Sequence, residues 1–199
     1  IGGRKLKGNN KDMNKTKKIV LGAFFIALGL LLPFITGQIP QIGSALLPMH
    51  IPVILCGLLL GWKYGLACGF ITPRLRSALF GMPVMFPMAI AMSFELAVYG
   101  CVAGFLYNSY RHKCLWALYK ALIAAMIAGR CVFGTVMAVL MTSTGQSYTI
   151  PMFVTGTVVS AAPGILLQLV LIPAVMLALK KTHPMNRIEK QEKENPANV

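Results

Sequence analysis

Acidic side chains are scarce in this chain of 199 residues: Asp and Glu number 5, against 19 Lys and Arg. Charged residues of both signs make up only 12% of the sequence, while 56% is hydrophobic. So little charge cannot cover the surface of a soluble domain, and the composition falls in the membrane class. Chemical motifs are missing too. None of Cys56, Cys68, Cys101, Cys114 and Cys131 forms a CxxC or a Cys/His ligand spacing. Four of them lie in apolar runs, where a thiol behaves as a small hydrophobe, so neither disulfides nor a metal site are expected. There is no Walker A loop, no HExxH and no Ser/His/Asp set, which excludes ATP hydrolysis by the chain itself. Glu95 has neither a second carboxylate nor a histidine near it in sequence, which argues against an enzyme. No inverted repeat with paired broken helices marks a secondary transporter.

What is present is basic and apolar. The net charge of +14 suggests nucleic acid, but its distribution does not: seven basic residues precede Ile19 and five follow Leu179. Basic flanks around apolar runs are an orientation signal of membrane proteins. A helix crossing the hydrocarbon core needs about 20 apolar residues. Six candidate spans follow: Ile19–Ile35, Leu46–Leu60, Tyr64–Phe80, Phe86–Tyr107, about Trp116–Met141 and about Ile150–Leu179. The second and third are short and contain Pro52 and Pro73, so tilted, broken or re-entrant forms stay open.

The loops TGQIPQIGS, GMPVM and TSTGQSYT lack Lys and Arg, whereas GWKYG, NSYRHK and both tails carry them. The two sets alternate. The positive-inside rule then puts both termini in the cytoplasm and the three uncharged loops outside. Residues 1–12, IGGRKLKGNNKD, read as an added or upstream extension, because MNKTKKIVLGAFF from Met13 resembles a bacterial start. The first apolar run leads into PFITGQIPQIG, not a small-x-small site, so no cleavable signal peptide is expected. The expected layout is an all-α six-helix membrane domain over 13–182 and a charged cytoplasmic tail over 183–199, in a multi-pass protein of the bacterial cell membrane.

Arg74, Arg76, Glu95 and Arg130 are the costly charges inside the spans. Such groups face a bundle interior or an aqueous cavity and mark function by default. At 1.5 Å per residue, Glu95 lies roughly 13 Å and Arg130 roughly 16 Å below the outer boundary, on consecutive antiparallel helices. Arg76 lies roughly 6 Å from its outer helix end, a position suited to a ligand. Arg74 and Arg76 are two apart and point about 200° away from each other. Met88, Met92, Glu95 and Tyr99 share one helical face, while Ser93, Ala97, Gly100 and Gly104 form a small face for close packing. Met126, Arg130, Phe133 and Met137 share a face of the fifth helix, and Thr157, Ser160, Gly164 and Gln168 one of the sixth. Three such faces can surround one small polar ligand. Glu95 and Arg130 either contact that ligand or pair with each other to lock the bundle. His50, in LPMHIPV, reads as a capping or interfacial histidine at an outer helix start.

Several stretches resemble the substrate-binding S components of energy-coupling factor (ECF) vitamin transporters. They are the small pair Ala23 and Ala27 one turn apart, PMHIPVILCGLLLGWKYGLACGFITPRLRS, GMPVMFP and FELAVYGCVAG. Trp62 and Arg74 depart from the pattern, which often has proline and an apolar residue there. The resemblance covers about Met13–Lys181. It implies six helices, capture of a water-soluble vitamin or related micronutrient, and a pocket under the loops TGQIPQIGS, FGMPVMFP and TSTGQSYTI. It implies docking through Ala23 and Ala27 on a transmembrane coupling subunit. Two cytoplasmic ATPases supply the ATP-driven step, no cofactor is bound by the chain, and the subunit topples in the bilayer. Gln38, Arg76, Glu95, Tyr99, Arg130 and Ser160 are the candidate substrate-binding residues. Vitamin and bilayer, not nucleic acid, are the expected partners. Autonomous transport or channel activity for a small polar solute is the alternative.

Overall fold

The computed structural model of the chain describes residues 15–35, 48–110, 115–145 and 162–182. Every regular element among them is helical. The helices are α1 (Lys15–Ile35), α2 (His50–Leu60), α3 (Trp62–Phe80), α4 (Ile90–Ser109), α5 (Leu115–Ser143) and α6 (Ala162–Thr182), with one π turn, Met85–Ala89, leading into α4. All six expected helices are therefore found, with shifted ends. Pro52 does not break α2, because it sits in the first turn, where its missing N–H has no acceptor. Pro73 lies within a continuous α3. Gln38, Thr157 and Ser160, the loop TGQIPQIGS, Cys114 and both tails lie outside the described residues.

α4 is the centre: it packs against α3, α5 and α2, while α1 lies against α2 and α3, and α6 touches α5 and α2. Small residues explain this closeness. Gly61 alone links α2 to α3, at φ 104°, a conformation open to glycine. The chain doubles back there, and a Cβ on Gly65 would lie 2.6 Å from the Gly57 Cα. Gly100 and Gly104 of α4 fill the hairpin: a Cβ on Gly57 would strike the Gly100 carbonyl oxygen, and one on Gly104 would lie 2.5 Å from the Gly57 oxygen. The expected small face of the fourth span is thus the seam of the bundle.

The outside is apolar. Ile19, Val20 and Phe24 of α1, Phe105 of α4, Trp116, Ile127 and Val139 of α5, and Leu166 and Val170 of α6 are all more than half exposed. Water does not tolerate so much exposed apolar surface; lipid does. Among the described residues, three helices are long and apolar enough to cross a membrane: Lys15–Phe34, Met85–Ser109 and Leu115–Ser143. His50–Leu60 and Gly164–Leu179 are apolar but shorter. α3 carries Lys63, Arg74 and Arg76, which lower its hydropathy.

Two of the charges in α3 diverge, as their spacing requires. The Arg74 guanidinium lies 3.7 Å from the centre of the Phe70 ring and 5.8 Å from that of Phe94 on α4. Arg76 turns the other way. Its Nη1 donates to the Leu30 carbonyl of α1 at 2.9 Å, with the Phe34 and Phe80 rings 5.3 Å and 5.9 Å away.

A side chain at the α2–α3–α4 seam should be costly. Gly100→Leu is expected to lower Tm of the detergent-purified protein by several degrees, since overpacking costs about 1–3 kcal/mol. Gly22→Leu, where a Cβ meets nothing within 4 Å, is the control. Equal Tm values for the two variants would refute the seam.

A buried charge cluster as the candidate binding site

Two buried hydroxyls of the bundle are satisfied locally. Thr72 Oγ1 donates to the Cys68 carbonyl at 2.7 Å, and Ser93 Oγ to that of Ala89 at 2.6 Å, each one turn back. One cluster is different. Glu95 on α4 is 1% exposed, and Arg130 Nη1 of α5 approaches its Oε1 at 3.2 Å. Glu95 is also the single acidic residue between Asp12 and Glu189, so the long basic and apolar middle of the chain holds one negative charge. Matching depth on adjacent helices brings the two together, as the helical rise led us to expect.

His50 joins them. Its Nε2 stands 3.7 Å from the same Glu95 Oε1, and its ring meets Tyr99 edge-on, with centroids 5.2 Å apart. The histidine is 1% exposed. It begins a helix as expected, but it is neither interfacial nor a cap: α2 starts inside the bundle. Glu95 therefore has a histidine beside it in space that sequence adjacency did not reveal. Tyr99, one turn after Glu95, is also buried, and its ring lies 3.1 Å from where a Gly129 Cβ would be, next to Arg130. The bare backbone at Gly129 is what lets the ring lie there.

The cluster has unused hydrogen-bonding capacity: His50 Nδ1 and Nε2, Glu95 Oε1, and Arg130 Nε and Nη2 are buried without a hydrogen-bond partner. So, on α6, are Gln168 Oε1 and Nε2. Gln168, on α6, is 1% exposed, one turn before the core residue Ile172. Buried polar atoms in an apolar bundle are costly when unmade, and a group of them marks a place that something polar can fill. The predicted face of the sixth helix included Gln168, although Ser160 was preferred from it as the site residue.

Other expected site residues lie elsewhere. Arg76 is buried, but its contacts are with α1 and not with this cluster. A ligand-facing role near a mouth is not what its hydrogen bond to Leu30 describes; it fastens α3 to α1. Met88 leaves the predicted face. It is 39% exposed and lies in the π turn, within which Phe86, at φ −117° and ψ 131°, is not helical. Met92 remains on that face, half-buried, and Met126, Phe133 and Met137 line the buried side of α5 as expected. Ala23 and Ala27 are both exposed on α1.

Removing one member of the ion pair strands the other in an apolar interior, which typically costs about 3–5 kcal/mol. Glu95→Ala is expected to lower Tm sharply, and Glu95→Ala with Arg130→Met to recover a good part of the loss. Additive losses in thermal unfolding would show that the pair is uncoupled.

Residues 17–178 match the family described as "ECF transporter, substrate-specific component". Searches of curated proteins and of solved structures each found no match. The matched span contains all six helices but for their outermost turns, and it contains the cluster. It is a family of transport components, not of enzymes, and its members are membrane proteins that work with the other parts of a transporter. By that match over most of its length, the chain belongs to the substrate-specific components of ECF transporters.

Proposed function

We propose that the chain binds a water-soluble vitamin or related micronutrient from outside the cell with high affinity. It then hands the ligand to an ATP-driven ECF complex. The observation that carries this reading is the buried, unsatisfied cluster of His50, Glu95 and Arg130, with Gln168 also buried and unpartnered on α6, in a chain of this family. A bundle held only for structure has no use for seven unpartnered polar atoms. A small polar ligand supplies partners for them, and soft neighbours such as Met92, Met126 and Tyr99 supply apolar contact.

In this reading all six helices cross the bilayer of a bacterial cell, with both termini in the cytoplasm. Gln38 and Ser160 contribute to the pocket from the first loop and the start of the sixth span. The chain binds no cofactor; two cytoplasmic ATPases use the ATP. Their force reaches the chain through a transmembrane coupling subunit docked on α1. Support comes from the exposure of Ala23 and Ala27 within an apolar face that also exposes Val20, Phe24 and Leu31. Two small residues one turn apart let another helix approach closely.

Three measurements test this reading. A thermal-shift screen of the purified chain against water-soluble vitamins should give a hit. A ligand at 100 times its dissociation constant that binds only the folded state stabilises by about 2.7 kcal/mol. Arg130→Gln should weaken that hit at least tenfold, about 1.4 kcal/mol; unchanged affinity in folded protein would assign Arg130 to structure alone. Ala23→Trp with Ala27→Trp should abolish uptake and leave binding intact, and wild-type uptake by that double variant would refute docking through α1.

A further inference from the structure

Arg74 carries a charge that the rest of the chain does not answer. Its guanidinium lies 3.7 Å from the centre of the Phe70 ring and 5.8 Å from that of Phe94, and the two rings meet edge to face with centroids 5.7 Å apart. Among the described residues it has no hydrogen bond and no ion pair. The apolar part of the chain has no carboxylate left for it either. Glu95 is the single acidic residue between Asp12 and Glu189, is 1% exposed, and is held by Arg130. Ring faces attract a guanidinium, but they give its N–H donors no oxygen acceptor.

The group also faces outward. Arg74 and Phe70 are partly exposed, and Phe94 is exposed. Beneath them α3 and α4 already touch through their backbones, since a Cβ on Gly69 would strike the Leu96 carbonyl. The two helices therefore cannot close over the guanidinium. Arg76, two residues on, is turned toward α1, so this is not the side of α3 that α1 covers.

Depth narrows the choice of partner. The span Met85–Ser109 has its midpoint at Ala97, three residues from Phe94, and α3 has its midpoint at Ile71, next to Phe70. The guanidinium thus lies near mid-bilayer, and headgroup phosphates are about 15 Å away on either side of the hydrocarbon core. Arg74 itself is six residues, about 9 Å, from the end of α3 at Phe80. Helical side chains lean the other way, toward the helix start, and this one rests on Phe70 one turn back. Ionisable groups at such depth face a bundle interior or pair with one another. One that faces outward, with no counter-charge in its own chain, calls for one in another. A second copy of this chain has none to offer there, because its Glu95 is buried and paired.

We propose that the Phe70–Arg74–Phe94 face of α3 and α4 docks, within the membrane, a transmembrane helix of a different protein that presents an Asp or Glu near its midpoint. The carboxylate accepts two N–H groups of Arg74, and the two rings hold the guanidinium and supply apolar contact around it. Members of this family work with other parts of a transporter, so membrane partners are at hand. The surface is additional to the small patch of α1 and does not depend on what the buried cluster binds.

The test is energy transfer between the dye-labelled full chain and dye-labelled synthetic helices in phosphatidylcholine vesicles. Each helix is a single span of about 20 leucine and alanine residues with lysine ends, one with Glu at its centre and one with Leu there. The Glu helix is expected to associate with the wild-type chain at least tenfold more tightly than the Leu helix does, and Arg74→Leu is expected to remove that preference. Equal association of the two helices with wild-type chain, or a preference that survives in Arg74→Leu, overturns the proposal. So does self-association of the chain that Arg74→Leu abolishes, which assigns the face to a second copy. Phosphatidylglycerol added to the detergent-purified protein is the lipid arm. A rise in Tm for the wild type and not for Arg74→Leu assigns the guanidinium to a headgroup phosphate and overturns the helix partner. Should Arg74→Leu not fold, Arg74→Gln, which removes the charge and keeps a polar side chain, takes its place in each comparison.

Discussion

A carboxylate 1% exposed inside an apolar bundle is the constraint on which the other parts depend. Ionised and alone, Glu95 would be too costly to bury. Arg130 makes it tolerable, and that fixes the register of α4 against α5, since a shift of either helix by one turn separates the charges by about 5.4 Å. The pair also sets what surrounds it. Tyr99 must be near, so Gly129 must be bare. α2 must stop short, so that His50 ends beside the carboxylate instead of passing it.

The glycine seam serves the same end. α2 and α3 turn back at Gly61 and close on Gly100 and Gly104 of α4, backbone against backbone. Such contact holds α4 with no large side chains on that face, and its opposite face is free for Glu95 and Tyr99. One helix therefore carries glycine packing on one side and the buried charge cluster on the other. The division follows from a period of 3.6 residues and not from any special geometry.

Much of this was legible in the residues. Helical rise gives depth, so the similar heights of Glu95 and Arg130 could be read from their distances to the ends of their spans, while their pairing could not. Small residues at i, i+4 spacing gave the seam. Depth does not give direction across a bundle, however. Arg76 stood at a plausible height for a ligand, yet it faces α1, where the Leu30 carbonyl accepts its hydrogen bond. His50 reads from sequence as interfacial or capping because sequence shows where a helix starts but not how deep that start lies. The available signal was length: counting from Pro52 to Gly61 leaves too few residues for a full span. Met88 departs from the predicted face because the helical period does not carry back through Pro87: proline shifts the residue before it out of the helical region, and Phe86 is that residue.

The placement of Arg76 has a bearing on how a filled site reaches the rest of a transporter. α1, which exposes Ala23 and Ala27, is held to α3 by the Arg76–Leu30 hydrogen bond and packs directly on α2. α2 in turn begins at the cluster. One helix therefore stands between the buried cluster and the helix that exposes Ala23 and Ala27. On the proposed reading, a ligand that gave partners to the open atoms of His50, Glu95 and Arg130 would act at the start of α2, against which α1 rests. Capture and docking would then share one packed unit, because the helices that carry them are in direct contact.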